Sequence, residues 1–295
     1  MTRMADPKPT VAVLTAHPRW YAAVRKRLTD VRRREHPSGT RFDTGALPET
    51  PWEVAVADMG TGNDKAGEIV GQAAAWLRPQ VLMFLGSAGA GRFYVQVGDV
   101  VLATKVYLYD PQASAAPRPY PASHRLEQAA RMALREGSGW CETEAAVHFG
   151  PLVALPDDAV DEARRTDDRQ AVEHGALRKC PDAVAVELRS MGIACDPRLT
   201  GSFGHQPEVL TVRGITFCAL DRKSPDLIFE QVIETTVAAA VAVLAELVPW
   251  SAEAASAGSA DAVPPVQYRD HIDYRYSTFE GSNVGKQVNG EDSRR

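Results

Sequence analysis

From Thr10 to about residue 249, short continuous apolar runs alternate with stretches of helical spacing. That alternation narrows the fold more than any other feature of the chain. "TVAVLT" (10–15), "WEVAVADMG" (52–60), "QVLMFLG" (80–86), "VGDVVLATKVYLY" (97–109), "AVHFGPLVAL" (146–155), "AVAVEL" (183–188) and "VLTVRGITF" (209–217) read as strands. "RWYAAVRKRL" (19–28), "NDKAGEIVGQAAAWL" (63–77) and "SHRLEQAARMALRE" (123–136) read as helices between them. A long helix is expected from Pro225, with Ser224 as its N-cap. Leu227, Phe229, Val232, Ile233, Val237, Ala240, Leu244 and Val248 then recur at three- and four-residue intervals. Strands with no polar alternation are covered on both faces, so the pattern predicts an α/β fold with a mostly parallel sheet between helices.

Ligands of such sheets bind at the carboxyl ends of strands. "GSAGAG" (86–91) follows the apolar run 80–85 at one such end and reads as a glycine-rich turn. A turn of this kind offers backbone N–H groups and the Ser87 hydroxyl to a phosphate, sugar or carboxylate. Its plainer reading is a tight bend.

Composition excludes several classes. The chain has 295 residues, 44% hydrophobic and 24% charged, with a formal net charge of −5. That is globular, and nothing in it calls for nucleic acid or an anionic membrane as partner. Cys141, Cys180, Cys195 and Cys218 show no paired spacing, so neither a disulfide framework nor a metal site is expected, and a reducing, cytoplasmic setting fits. The opening "MTRMADPKPTVAVL" has no long apolar core and no small-residue cleavage site, so a secretory signal is not expected. The apolar stretch 235–249 contains Glu246 and is shorter than the ~20 residues a membrane span needs.

Several motifs in order make the domain recognisable. Residues 9–249 resemble the purine nucleoside phosphorylase / methylthioadenosine nucleosidase superfamily. "GTG" before a helix, "GSAG", "VGDVV", "GPLVALPDDAV", "CPDAVAVELRSMGIA" and "VLTVRGITFCALDRKSPD" match that family's segments in sequence. The resemblance implies a three-layer α/β/α sandwich that binds nucleosides and cleaves or transfers at the N-glycosidic bond, with phosphate as the potential co-substrate and no other cofactor. It assigns ligand contacts to Gly62, Ser87, Ala88, Gly89, Glu187, Leu188, Arg189, Arg213 and Phe217.

The catalytic groups depart from the pattern. Breaking the bond needs an acid for the base, acceptors for the sugar hydroxyls, and an activated nucleophile. The family acid, the Asp of Ile-Ser-Asp, is matched here by Phe217, which cannot donate a proton. Asp221, four residues on, is the candidate replacement, with Asp157 and Asp158 as others if a segment is misaligned. The ribose-holding carboxylate is matched by Arg189, a cation with donors only, suited to a phosphate or carboxylate. The water-activating Glu falls within "HPRWY", which has no carboxylate, and a phosphate-holding Arg falls at Phe84. Arg213 matches a family Arg; its blander reading is pairing with a carbonyl or an acid. His17 and His205 are read as structural or surface residues.

The composition changes after about residue 250. Residues 250–265 are small, polar and proline-tipped, and read as a flexible linker. In 266–290, Ile272, Tyr274 and Tyr276 alternate with polar residues, and Phe279, Val284 and Val288 continue a sparser rhythm. Gly281, Gly285 and Gly290 break it up, so the segment reads as β-prone. One such segment cannot bury its own apolar face and needs another chain. The spacing Phe279, Gly281, Gly285, Val288 resembles bacterial amyloid signalling motifs. That resemblance implies stacked homotypic assembly, with Asn283, Gln287 and Asn289 as amide ladders, a homo-oligomer, and an NLR-type receptor as partner. The leading expectation is therefore an effector in a conflict or cell-death pathway, acting on a nucleoside or nucleotide. Its rivals are a housekeeping purine nucleosidase with a disordered tail, and an inactive scaffold.

Overall fold

All seven apolar runs read as strands become strands of a single sheet, which is mixed rather than mostly parallel. The computed structural model describes residues 9–60, 63–113, 117, 119–135, 139–140, 144–166, 169–187, 207–218 and 226–250. The strands are β1 (Thr10–Thr15), β2 (Thr29–Glu35), β3 (Arg41–Ala46), β4 (Glu53–Asp58), β5 (Val81–Ala90), β6 (Val100–Leu108), β7 (Pro119–Pro121), β8 (Val147–Ala154), β9 (Ala185–Glu187) and β10 (Glu208–Cys218). The helices are α1 (Pro18–Lys26), α2 (Asn63–Gln72), α3 (His124–Ala133), α4 (Asp157–Thr166), α5 (Arg169–Lys179) and α6 (Asp226–Glu246). A π-helical turn, Ala73–Leu77, continues α2.

The central strands β4, β1, β5 and β10 run parallel, as the sequence predicts. The antiparallel pairs come from segments the apolar pattern does not reach, and from a closure. β10 pairs with β5 on one side and β6 on the other; β6 pairs with β8, β8 with β9, and β9 returns to β5. Five strands thus form a closed ring, and β1, β4, β3 and β2 extend from it as an open wing. The ring is tight, so its inward residues are mostly small. Ala88, Ala90, Val101, Ala103, Leu152, Ala154, Ala185 and Ile215 form one buried cluster contributed by all five strands. β2 is the outer edge, exposed along nearly its whole length. Its arginines suit an edge that must not recruit other strands.

Helices cover both faces of the wing. Ala66 and Val70 of α2, with Ala73 and Ala74, pack on Ala12, Leu14, Leu82 and Phe84. On the other face Val24 of α1 and Val237 and Leu244 of α6 face Val13, Val54 and Leu85 across a small apolar void. Trp52 ties α6 down: its indole N–H donates to the carbonyls of Leu244 (2.9 Å) and Leu247 (3.2 Å). Among the described residues no helix is long and apolar enough to cross a membrane.

By backbone packing the chain divides into Met1–Pro249 and Trp250–Arg295. The linker expected over 250–265 and the motif expected over 266–290 lie, Trp250 apart, outside the described residues.

Candidate functional site

The stretch expected as a glycine-rich turn is strand. β5 runs on through Gly86, Ser87, Ala88 and Gly89 to Ala90, paired in parallel with β10 throughout. At Gly89 and Ala90 it also pairs with β9 on its other edge. Gly91 N–H, the next in line, donates to the Val184 carbonyl at 2.9 Å. A strand with ladder partners presents side-chain faces to a ligand rather than an open nest of N–H groups. The turn proper comes later, between Arg92 and Asp99, closed by Val95 N–H to Arg92 O and Asp99 N–H to Gln96 O, both 3.1 Å.

The need for bare backbone then falls on one residue. Between Ile215 and Phe217 the β10 register slips, so that Phe217 stands opposite Gly89. The Phe217 ring occupies the place a side chain on Gly89 would take: a Cβ there would lie 2.0 Å from Cε2 and 2.3 Å from Cζ. At Gly86 the same construction meets Arg213 Nε only at 3.7 Å, an ordinary contact. Gly89 is therefore demanded by Phe217, while Gly86 is not demanded by its neighbour.

Arg213 is fully buried and lies opposite Gly86 in the β5–β10 ladder. Its Nη1 donates to the carbonyls of Phe84 (2.8 Å) and Val212 (3.1 Å). Its Nη2 donates to both carboxylate oxygens of Glu187, at 3.0 and 3.2 Å. Among the described residues Nε has no hydrogen-bond partner. Glu187 is 2% exposed at the end of β9, so the pair crosses from β10 past β5 to β9 inside protein. Charges this deep persist only when matched, and the match ties the middle of β10 to the middle of β5 and the end of β9. Arg213 thus takes carbonyls and an acid together.

The other expected residues divide between this region and the undescribed segments. Ser87 is half-buried and Ala88 buried within β5, and Phe217 is half-buried. Gly62, Leu188, Arg189 and Asp221 lie outside the described residues. Asp157 and Asp158 are exposed in the first turn of α4, where carboxylates complement the helix N-terminus. Phe84 is buried in the core cluster under α2. His17 caps α1, its Nδ1 accepting from Arg19 N–H at 3.1 Å. Cys180 is buried, and burial pushes its thiol up to about 11, which disfavours the thiolate. Among the described residues no three His, Cys, Asp or Glu side chains converge on a metal-sized site.

Sequence reading did not find the partnership of Arg213 with Glu187, or the contact of Phe217 with Gly89. The second depends on a register slip that no residue spacing announces.

The family model described as the phosphorylase superfamily matches residues 10–187. Solved structures share the fold at low identity. The 5′-methylthioadenosine/S-adenosylhomocysteine nucleosidase of Colwellia psychrerythraea 34H, in complex with adenine, is 19% identical with a TM-score of 0.65, covering 82% of this chain and 96% of its own. The nucleosidase of Neisseria meningitidis, in complex with methylthio-immucillin-A, is 22% identical with a TM-score of 0.61, over 80% and 97%. A futalosine hydrolase mutant of Helicobacter pylori strain 26695 is 15% identical with a TM-score of 0.63, over 81% and 100%. No curated protein sequence matches the chain.

Proposed function

Because the chain belongs to the phosphorylase superfamily, we propose that it binds a nucleoside or nucleotide at the shared C-terminal end of β5 and β10, where β9 pairs with β5, and acts on the N-glycosidic bond with a proton source other than residue 217. The observation that carries this reading is the half-buried Phe217 ring lying over Gly89, four residues beyond the buried Arg213. An aromatic ring there supplies a stacking face for a base and no proton. Ser87, Ala88, Glu187, Leu188, Arg189, Arg213 and Gly62 remain the candidate ligand-binding set, and Asp221 the candidate acid. Arg189 in place of a ribose-holding carboxylate favours a substrate bearing a phosphate or carboxylate. Glu187 serves as the anchor of Arg213, since one guanidinium takes both its oxygens.

The decisive experiment incubates the purified chain with adenosine, methylthioadenosine, AMP and ATP, with and without phosphate, and measures free adenine. Release without phosphate identifies a hydrolase; release only with phosphate identifies a phosphorylase. Binding without release leaves the scaffold reading. The absence of both binding and release overturns the proposal.

The housekeeping nucleosidase reading is supported by structural neighbours that are methylthioadenosine/S-adenosylhomocysteine nucleosidases. The effector reading rests on the spacing of Phe279, Gly281, Gly285 and Val288. It adds a cytoplasmic homo-oligomer and an NLR-type partner engaged through 266–290. Removing 266–290 separates them. A nucleosidase keeps its whole role without the segment. An effector keeps base release and loses self-association, read as loss of dye-binding fibres.

A further inference from the structure

We propose that the cleft at the start of β6 is a second ligand site, selective for a small organic cation such as an aliphatic polyamine. It measures about 440 Å³, within the size range of small-molecule pockets. Tyr94, Gln96, Asp99, Glu144 and Gln231 supply its polar groups. Ser87, Gly89, Glu187, Arg213 and Phe217 are not among its described lining residues.

The charge of the wall selects the ligand. Two carboxylates, Asp99 and Glu144, face the cleft, and no lysine or arginine is among its described lining residues. A phosphate or carboxylate entering would meet like charge; an ammonium group would meet two anions and an aromatic face. Two carboxamides, Gln96 and Gln231, can accept the remaining N–H groups of an amine.

The wall is also held in place before any ligand arrives. Asp99 is 8% exposed, and its carboxylate accepts from Gln96 N–H (2.8 Å), Ala146 N–H (3.2 Å) and His148 Nε2 (2.7 Å). The backbone around it is pinned to β10: Gly98 N–H donates to Ile215 O at 2.9 Å and Ile215 N–H to Asp99 O at 2.8 Å. The Tyr94 ring is set between Phe93, edge-on at 5.5 Å, and His148 at 5.9 Å. Phe93 is 86% exposed and Tyr94 49%, which leaves an aromatic rim in solvent beside a fixed negative centre. A pre-set aromatic and carboxylate wall binds a cation with little reordering.

The test is a calorimetric titration of the full chain with spermidine at low salt, with acetate and inorganic phosphate as anionic controls. Saturable one-to-one binding of spermidine, and none of the anions, is expected. Glu144→Gln and Tyr94→Ala should each weaken it by about tenfold, and Tyr94→Phe should retain it. Glu144 is exposed, so its variant tests the site even if Tyr94→Ala fails to fold. Absence of saturable binding overturns the proposal. So does binding that Glu144→Gln leaves unchanged, because that is diffuse attraction to the protein's net charge.

Discussion

Arg213 and Glu187 share a bidentate pair, with 3.0 and 3.2 Å from one Nη2 to the two carboxylate oxygens, buried between the middle of β10 and the end of β9. Removing one partner deprives the other's interior charge of this bidentate contact. Glu187→Leu and Arg213→Met, each alone, should therefore cost about 3–5 kcal/mol of folding stability. The double variant Glu187→Leu with Arg213→Met removes both charges and should lose much less. Urea unfolding of the two singles and the double closes the cycle. A double variant as unstable as the sum of the singles would show that the pair contributes nothing through its mutual contact.

Gly89→Ala should destabilise by about 1–3 kcal/mol, because the new methyl must displace the Phe217 ring packed against that position. Gly86→Ala, whose methyl would touch Arg213 Nε at 3.7 Å, should be tolerated. Adding Phe217→Ala to Gly89→Ala should restore part of the loss, since it empties the space in dispute. Thermal unfolding of the three variants checks the ordering. Equal costs at Gly86 and Gly89 would mean that the ring does not set the requirement.

Asp43 carries the clearest pH signature. It is 2% exposed and accepts from Tyr21 Oη, Arg25 Nε (2.6 Å) and Arg33 Nε (3.0 Å). Burial alone would raise its pKa, but the donors, Arg33 first, outweigh burial and hold it at about 2. A carboxyl depressed on folding stabilises fully above its unfolded value of 3.8, and that contribution fades as the pH falls toward about 2. The stability difference between the native chain and Asp43→Asn should be constant from neutral pH down to about 4, then shrink through this window. Unfolding midpoints across acid pH measure it. A difference that widens on acidification would contradict the assignment.

The sequence revealed the parallel core because its strands are buried on both faces and so read as unbroken apolar runs, as in Val81–Leu85. β2 was not legible: "TDVRRRE" carries the charges of an exposed edge and no alternating face. Helices α4 and α5 were missed for a related reason. "DDAVDEARRT" is dominated by charge, and "RQAVEHGALRK" lacks a clear apolar stripe. The ring closure was hidden because pairings between distant strands leave no local pattern, and the slip between Ile215 and Phe217 turned an expected turn residue, Gly89, into a packing partner. Of the site, Arg213 was legible as a residue that pairs, while its partner was visible only as part of a motif.

Trp52 links the wing of the sheet to the end of the long helix, and this contact should be measurable by itself. Its indole N–H serves two carbonyls, Leu244 O and Leu247 O, at the C-terminus of α6, where the last turn has no intrahelical donors. The residue is 1% exposed, so water does not readily replace it. Trp52→Phe keeps an aromatic ring but removes the donor, leaving a buried acceptor site unserved at a cost of about 1–3 kcal/mol. Some packing is lost with the smaller ring, so the hydrogen-bond share is read from hydrogen exchange. Amides of the last turn of α6 should lose protection more than those of β4, which flank the same ring. Equal loss at both places would assign the effect to packing alone.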